Sequence, residues 1–344
     1  MKHLLVGRGP VLLRIPARAV VASTVVVVVL LVVSTCSLLI GDYTMTLGDT
    51  LAAVVGRGDD GLGIYYVQEM RAPRVTAAIL VGIALGVAGS IFQNVTGNPL
   101  GSPDIIGFTT GAATGALVQI LLLGGDTDAV SLGALVGGFG TAAVVLGLTR
   151  RSGLTGNRLV LVGIGVGAVL AAVNSLLIVR ASLSAAQTAA QWTAGSLNAV
   201  LWPRTVLLAI FVALLLVPAA LLARPLGMLA LGDDLASGAG VRVRRVRNGS
   251  VVVAVALVSV AIAVTGPLAF VALAAPQVAR RLGGLATPGM ASSGLVGALL
   301  VVTSDLVGQQ LFAPTELAVG VVTGAVGGIY LVLLLAGEWR KQHG

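Results

Sequence analysis

Long apolar runs without charge are the feature that most constrains this chain. The run from Val75 to Phe92 has 18 residues and no charged side chain, about what a helix rising ~1.5 Å per residue needs to cross a bilayer core. Similar runs recur along the chain, which is 57% hydrophobic and 10% charged over 344 residues. This composition excludes a soluble enzyme and predicts an all-α, polytopic membrane protein.

The runs predict about ten transmembrane helices in a single domain, 1–344, with no separate soluble domain. The predicted spans are about 19–40, 72–93, 105–124, 129–149, 159–179, 203–223, 249–265, 267–280, 289–307 and 317–337. Charge supports this count, because an inside N-terminus leaves 16 of the 21 Lys and Arg residues on the cytoplasmic side, a strong positive-inside bias. Both termini are therefore expected in the cytoplasm.

Several predicted spans contain or adjoin breaks. Gln93 and Asn94 lead into the break Asn98–Asp104, which holds two prolines. Such a segment cannot face lipid, so it should face water, protein or a pathway. On the same span Gly82, Gly86 and Gly89 lie on one face, where the backbone of another helix is expected to approach closely.

The chain lacks the groups that most enzymes and ion-coupled carriers use. It has no phosphate-binding G-x-x-x-x-G-K-[ST] loop, and its histidines are His3 and His343, so neither a cofactor nor a metal site is predicted. Few titratable groups lie within the spans, which disfavours an ion-coupled secondary transporter. An intramembrane hydrolase using Ser90 or Ser196 is disfavoured as well. We expect a non-enzymatic conduit that receives energy from a partner.

The basic loop 224–247 is the natural place for that partner. Within it, LALGDDLASGAG places Leu229, Leu231 and Leu235 on one helix face. Asp233 and Asp234 stand near the start of this short helix, where acidic side chains suit the helix dipole. An alternative is that the arginines of the loop only fix topology, but they do not account for an acidic and apolar helix among them.

Along nearly all its length the chain resembles the FecCD-type permease subunits of type II ATP-binding-cassette importers for iron siderophores, haem and vitamin B12. The motifs that carry the resemblance are Arg71-Ala-Pro-Arg74, Asn98-Pro-Leu100, Leu231-Gly232-Asp233, Gly266-Pro267-Leu-Ala-Phe270, Pro276 with Arg280, Ser304-Asp305 and Glu316-Leu-Ala-Val-Gly320. NPLGSPDIIGF, TAGSLN, LGDD, QQLF and GVVTGAVGGIYL are most similar to permeases for ferric enterobactin, a catecholate siderophore. A corrinoid or haem cargo is the alternative within the family.

The resemblance implies a complex in the bacterial cytoplasmic (inner) membrane. Its parts would be two permeases around a central pathway, two ATP-binding-cassette ATPase subunits and an extracytoplasmic siderophore-binding protein. By position, the resemblance implies ATPase coupling through Leu231, Gly232, Asp233, Asp234, Ala236 and Gly240. It implies docking of the binding protein at Arg71 and Arg74. It implies an inner gate or pathway at Gln93, Asn98, Leu100, Thr155, Gly156 and Asn157.

Three positions depart from the family pattern. Gln277 follows Pro276 where histidine is usual, Ala239 replaces a leucine before the last glycine of the coupling loop, and Gln309 stands where an outer arginine is usual. The missing outer charge favours a heterodimer in which a different permease supplies the other half.

Overall fold

Helices make up most of the described chain. The computed structural model describes residues 3–6, 13–41, 43–57, 60–149, 156–198 and 200–343. The helices are α1 Ala17–Leu39, α2 Leu47–Val54, α3 Gly61–Tyr65, α4 Ala72–Thr96, α5 Phe108–Val118, α6 Thr127–Thr149, α7 Gly156–Arg180, α8 Leu183–Thr193, α9 Trp202–Leu229, α10 Asp233–Gly238, α11 Val243–Thr265, α12 Val271–Gly283, α13 Met290–Gln310 and α14 Val319–His343. π-helical turns Tyr66–Arg71 and Gln119–Leu123 join α3 to α4 and extend α5.

One small exception to the all-α prediction precedes α1. Strands β1 His3–Val6 and β2 Leu13–Pro16 pair antiparallel, with Leu4 opposite Ile15. The hairpin involves eight residues and leaves the helical class unchanged.

Within the described residues, seven helical segments are long and apolar enough to cross a membrane. They are α1, the continuous segment Gly61–Thr96, α6, Arg158–Arg180 of α7, α9, α11 and α13. The apolar stretches Phe108–Leu123 and Val319–Leu333 are shorter. The remaining predicted span contains only α12, whose 13 residues rise about 20 Å and cannot cross a bilayer alone.

Several predicted boundaries are wrong because helices continue past their apolar cores. The coupling loop predicted at 224–247 is confined to residues 230–242, since α9 runs to Leu229 and α11 begins at Val243. The span predicted at 72–93 lies within a longer continuous helical segment, Gly61–Thr96, of which α4 is the main part. The polar connection predicted at 41–70 therefore contains α2, α3 and the first π-helical turn. We call the end of the molecule with α10 the inner end and the end with α2 and α3 the outer end, following the predicted orientation.

The glycine face predicted on α4 is confirmed. A Cβ atom added at Gly82 would meet the carbonyl oxygen of Gly297, and one added at Gly86 would meet that of Ser293, both on α13. A Cβ atom at Gly89 would meet the carbonyl oxygen of Ala272 on α12. The absence of side chains lets these backbones pack in direct contact, as small residues allow in membrane helices.

Burial separates central helices from peripheral ones. α4 and α11 are buried along most of their length, whereas α1, α7 and α9 leave most apolar side chains exposed. In a membrane protein such faces meet lipid or another protein, so the interior built on α4, α11 and α13 positions the polar breaks at both ends.

Candidate translocation pathway, coupling helix and outer arginines

The short helix α10 is anchored on one side and exposed on the other. Ala236 is 1% exposed, whereas Leu231 and Leu235 are 64% and 67% exposed. Leu229 belongs to the buried end of α9. The prediction that it shares an α10 face with Leu231 and Leu235 is therefore wrong for Leu229. The glycines flanking α10 have positive φ, 106° at Gly232 and 83° at Gly240, a conformation that glycine adopts without a Cβ penalty.

An ion pair holds the beginning of α10. Asp233 receives two hydrogen bonds from Arg247 on α11, at 2.9 and 3.2 Å, the paired geometry that guanidinium and carboxylate groups favour. Asp234 and Ala239 are exposed. The ion pair gives Arg247 a role in fixing α10 beyond the setting of topology, which was the alternative for the arginines of this loop.

The break after α4 begins with a tight turn. The amide N–H of Gly101 donates to the carbonyl of Asn98 at 2.9 Å, and that of Leu100 donates to Asn98 Oδ1 at 2.9 Å. Leu100 is 37% exposed. Asn98 and Leu100, two of the predicted gate residues, are therefore parts of one turn. The position of both depends on the contacts that hold this turn.

Gln277 on α12 binds this turn. Its Nε2 atom donates to the carbonyl of Pro99 at 3.0 Å and to Gln93 Oε1 at 2.6 Å. Arg280 donates to Gln277 Oε1 at 3.0 Å, and Gln93 donates to the carbonyl of Leu273 at 3.0 Å. Gln277 and Gln93 are 2% and 3% exposed, so each buried amide is satisfied, as burial requires.

Sequence reasoning noted Gln277 only as a departure from the family. The i, i+3 spacing of Gln277 and Arg280 puts both on one helix face. This spacing was the signal in the sequence that could have predicted their hydrogen bond. The third predicted gate segment is less fully described: Thr155 lies outside the described residues, Gly156 is the first residue of α7, and the side chain of Asn157 is not among those described.

Arg71 and Arg74, predicted to dock a binding protein, both have partners within this chain. Arg71 donates to the carbonyls of Leu38, Leu39 and Tyr43, at 2.8, 3.2 and 2.6 Å. The last carbonyls of a helix have no partner within it, so Arg71 caps the end of α1. Docking at these arginines stays a prediction.

Arg74 joins α4 to α13 and to the segment before α14. It binds Asp305 through two nitrogens at 3.0 Å each and Glu316 at 3.1 Å. Gln309 donates to Asp305 Oδ2 at 2.8 Å. The two acids therefore have a structural role, and Gln309 uses its amide on the carboxylate of Asp305.

The outer connection carries a shorter polar pair. The Tyr43 hydroxyl donates to Asp60 Oδ2 at 2.6 Å. This bond, followed by the amides of Gly63 and Leu62, holds the pKa of Asp60 below its usual value, and the same bond raises the pKa of Tyr43. Asp60 also caps α3 by accepting from Leu62 at 3.1 Å, so the pair fixes the start of that helix.

The serines of the hydrolase alternative have structural contacts. Ser90 is fully buried and donates to the carbonyl of Pro288 at 3.0 Å, and Asn94 donates to the same carbonyl at 3.1 Å. Ser196 Oγ accepts from the amide of Asn198 at 3.0 Å. These bonds give neither serine a base.

A cavity of about 920 Å³ opens at the outer end among α6, α8, α9 and α11. Its lining mixes the ring of Trp192 with the polar groups of Gln191, Asn198 and Arg204. Small-molecule sites span roughly 300–1,000 Å³ and combine apolar walls with a few polar groups. The volume of this cavity falls within that range.

Comparison with known proteins identifies the chain's relatives. The sequence pattern of the FecCD transport family matches residues 29–337. FepG, a permease of the ferric enterobactin transport system of Escherichia coli (strain K12), is 47% identical over 302 residues, 88% of this chain and 91% of FepG. CbrC, an achromobactin transport system permease of Dickeya dadantii (strain 3937), is 36% identical over 317 residues, 90% of this chain and 89% of CbrC.

A solved structure, described as an inward-facing conformation of a metal-chelate type ABC transporter, has the same fold. It superposes with a TM-score of 0.78 at 24% sequence identity, covering 92% of this chain and 98% of that one.

Proposed function

The chain belongs to the FecCD transport family, and on that premise we propose that it is a permease subunit that passes a ferric catecholate siderophore of the enterobactin type into the cytoplasm. The observation that carries this cargo is the 47% identity to the ferric enterobactin permease over 88% of the chain. The proposed place is the bacterial cytoplasmic membrane, with both termini inside.

Energy is proposed to come from separate ATPase subunits. The sequence has no phosphate-binding loop of the G-x-x-x-x-G-K-[ST] type. Leu235 on the anchored α10 and Leu231 just before it are exposed apolar residues that a groove on an ATPase would bury. The Asp233–Arg247 pair supports this role because it fixes the helix that would transmit the force.

A binding protein and a second permease complete the proposed complex. The peripheral faces of α7 and α14 expose branched apolar side chains, among them Val169, Val321 and Ile329. They offer surface for a homologous partner, and Gln309 in place of the usual outer arginine favours a partner of different sequence. The outer cavity offers an aromatic chelate the ring of Trp192 and the guanidinium of Arg204, which also binds Asp128 at 3.2 Å, because aromatic rings and guanidinium groups attract each other.

Uptake of labelled chelates tests the cargo. In the bacterium that encodes the chain, deletion of its gene should abolish uptake of ⁵⁵Fe-enterobactin at nanomolar concentration, and the restored gene should recover it. Ferrichrome, ferric citrate, haem and cobalamin, offered in parallel, identify the cargo if it is different. Undiminished ⁵⁵Fe-enterobactin uptake in the deletion strain would refute the proposed cargo.

The energy source is tested separately. A substitution that disables the partner ATPase should stop uptake while the membrane potential is intact. Continued uptake would instead support the secondary-transporter alternative. Leu235→Asp should likewise release the ATPase from the purified complex. Leu221→Asp, at an exposed leucine of α9 away from α10, serves as a control for the cost of a new charge at an exposed apolar position.

A further inference from the structure

The turn Asn98–Gly101 contains a carbonyl group that finds no hydrogen-bond donor within the turn. Its closing hydrogen bond uses the carbonyl of Asn98, and the side chain of Asn98 accepts from Leu100. The carbonyl of Pro99 projects from the middle of the turn and has no partner within it. A backbone carbonyl needs a hydrogen-bond donor when water is excluded, and Gln277 on α12 provides that donor at 3.0 Å.

Gln277 is held in a fixed position while it does so. Both hydrogens of its amide nitrogen are used, on Pro99 and Gln93, and its oxygen accepts from Arg280. Because the side chain is 2% exposed, water cannot readily replace these bonds, and losing any of them leaves a buried polar group unsatisfied. α4, α12 and the turn are therefore joined through one side chain.

The same residues face the coupling helix across a small space. A cavity of about 340 Å³ is lined on one side by Pro99, Gln277 and Arg280 and on the other by Gly232 and Arg247. Arg247 is the residue that anchors Asp233 of α10. A displacement of α10 would thus change the shape of the cavity next to the Gln277–Pro99 hydrogen bond that holds the turn.

We propose that Gln277 is a positioning residue that holds the Asn98–Gly101 turn at the inner end of the pathway, so that movement of the turn requires its bond to Pro99 to break. This proposal rests on the proposed transport function, but the experiment that tests it does not depend on the identity of the cargo. It acts through the backbone of the turn and does not require contact between Gln277 and the cargo.

Amide hydrogen exchange in the purified, assembled complex tests whether Gln277 holds the turn. Gln277→Leu removes all its bonds, and Gln277→Glu keeps an acceptor for Arg280 but has no donor for Pro99. In both variants the peptide containing Leu100 and Gly101 should exchange about tenfold faster, the change expected when about two net hydrogen bonds are lost from a local opening equilibrium. ATP hydrolysis without the binding protein should also rise severalfold in both.

A matched control removes a different amide. Gln68 donates to the carbonyls of Ala53 and Val54 at the outer end, at 2.9 and 3.3 Å. Gln68→Leu should speed exchange near 47–57 and leave the Leu100 peptide and the basal ATP hydrolysis unchanged.

Wild-type exchange at Leu100 in either folded Gln277 variant would overturn the proposal. Equal acceleration there in Gln68→Leu would overturn it too, because the effect would then be general loosening. If Gln277→Leu does not assemble, Gln277→Glu alone decides, since its bond to Arg280 retains a charge-assisted contact within the fold. Failure of both variants to assemble would also count against it, because Gln277 would then be required for folding. Failure of ⁵⁵Fe-enterobactin uptake in the wild type would refute the cargo and leave this result unaffected.

Discussion

Arg74 on α4 and Asp305 on α13 form a two-point ion pair, with two guanidinium nitrogens each 3.0 Å from a carboxylate oxygen. Asp305 is almost completely buried and the side chain of Arg74 is 16% exposed. Asp305 therefore depends on Arg74 for charge compensation, whereas Arg74 also binds Glu316, whose side chain is 36% exposed.

Asp305→Asn should therefore destabilise the subunit substantially. The change leaves the largely buried Arg74 with only the partly exposed Glu316 as a charged partner. Breaking a buried pair costs about 3 kcal/mol in unfolding free energy. Thermal and denaturant unfolding in detergent measures it. Arg204→Gln is the matched control, because its partner Asp128 is 91% exposed and surface pairs contribute about 1 kcal/mol or less. Equal losses in the two variants would contradict the argument.

The double variant Arg74→Gln with Asp305→Asn separates folding from docking. It removes both buried charges, so it should recover most of the stability lost in Asp305→Asn. If Arg74 also receives a carboxylate of the binding protein, affinity for that protein should fall about tenfold although stability returns. Unchanged affinity in the stable double variant would remove Arg74 from the docking site.

Asp233→Asn should weaken coupling between ATP hydrolysis and transport. The change breaks the ion pair with Arg247 that holds the start of α10. A partly exposed pair of this kind is worth about 1 kcal/mol, so cargo transported per ATP should fall about fivefold in proteoliposomes. Asp234→Asn removes the same charge from an exposed neighbour with no ion pair among the described residues and should have a smaller effect. A larger effect for Asp234→Asn would indicate direct ATPase contact there.

Gly86→Ala should destabilise the packing of α4 on α13. The new Cβ atom would collide with the carbonyl of Ser293, and overpacking of this kind costs about 1–3 kcal/mol. At Gly140 on α6 a new Cβ meets no atom within 4 Å, so Gly140→Ala should be neutral or slightly stabilising, since alanine is the better helix former. Thermal unfolding compares the two, and a harmless Gly86→Ala would refute the close approach.

Tyr43→Phe should loosen the outer segment at neutral pH and have no effect in strong acid. The pKa of Asp60 is lowered in the folded state, chiefly by the Tyr43 hydroxyl, so this interaction stabilises above the unfolded pKa and is lost as pH falls through the folded pKa. Phenylalanine keeps the stacking on Tyr66, whose ring lies 5.4 Å from that of Tyr43. Amide exchange near Leu62 should be faster in the variant at pH 7, and the difference from wild type should disappear as pH falls through the folded pKa of Asp60. A difference that persists in acid would contradict it.

Local patterns predicted much of this fold. Apolar runs placed a helix in every predicted span, and the spacing of Gly82, Gly86 and Gly89 predicted the close packing on α4. Helix ends were predicted less well, because hydropathy detects the apolar core alone while hydrogen bonding continues into polar sequence. Arg224 and Arg244 thus lie in helices and not in a loop.

Partnerships between distant residues escaped prediction. Arg74 and Asp305 are 231 positions apart, and Gln277 and Gln93 are 184 apart. No periodicity links such pairs, so only the packing of α4 against α12 and α13 brings them together. The resemblance to the family singled out Arg74 and Gln93, but it assigned Arg74 to docking of the binding protein and Gln93 only to the gate or pathway. It gave neither residue a partner within the chain.

The bare glycine contact between α4 and α13 limits how the transporter can work. With backbones touching at two successive turns and an ion pair closing the outer end, these helices have no slack in which to slide or separate. They should travel as a single rigid body through the cycle. The rearrangement that admits and releases cargo must then be carried by less enclosed parts, the Asn98–Gly101 turn and the sparsely covered α7 and α8.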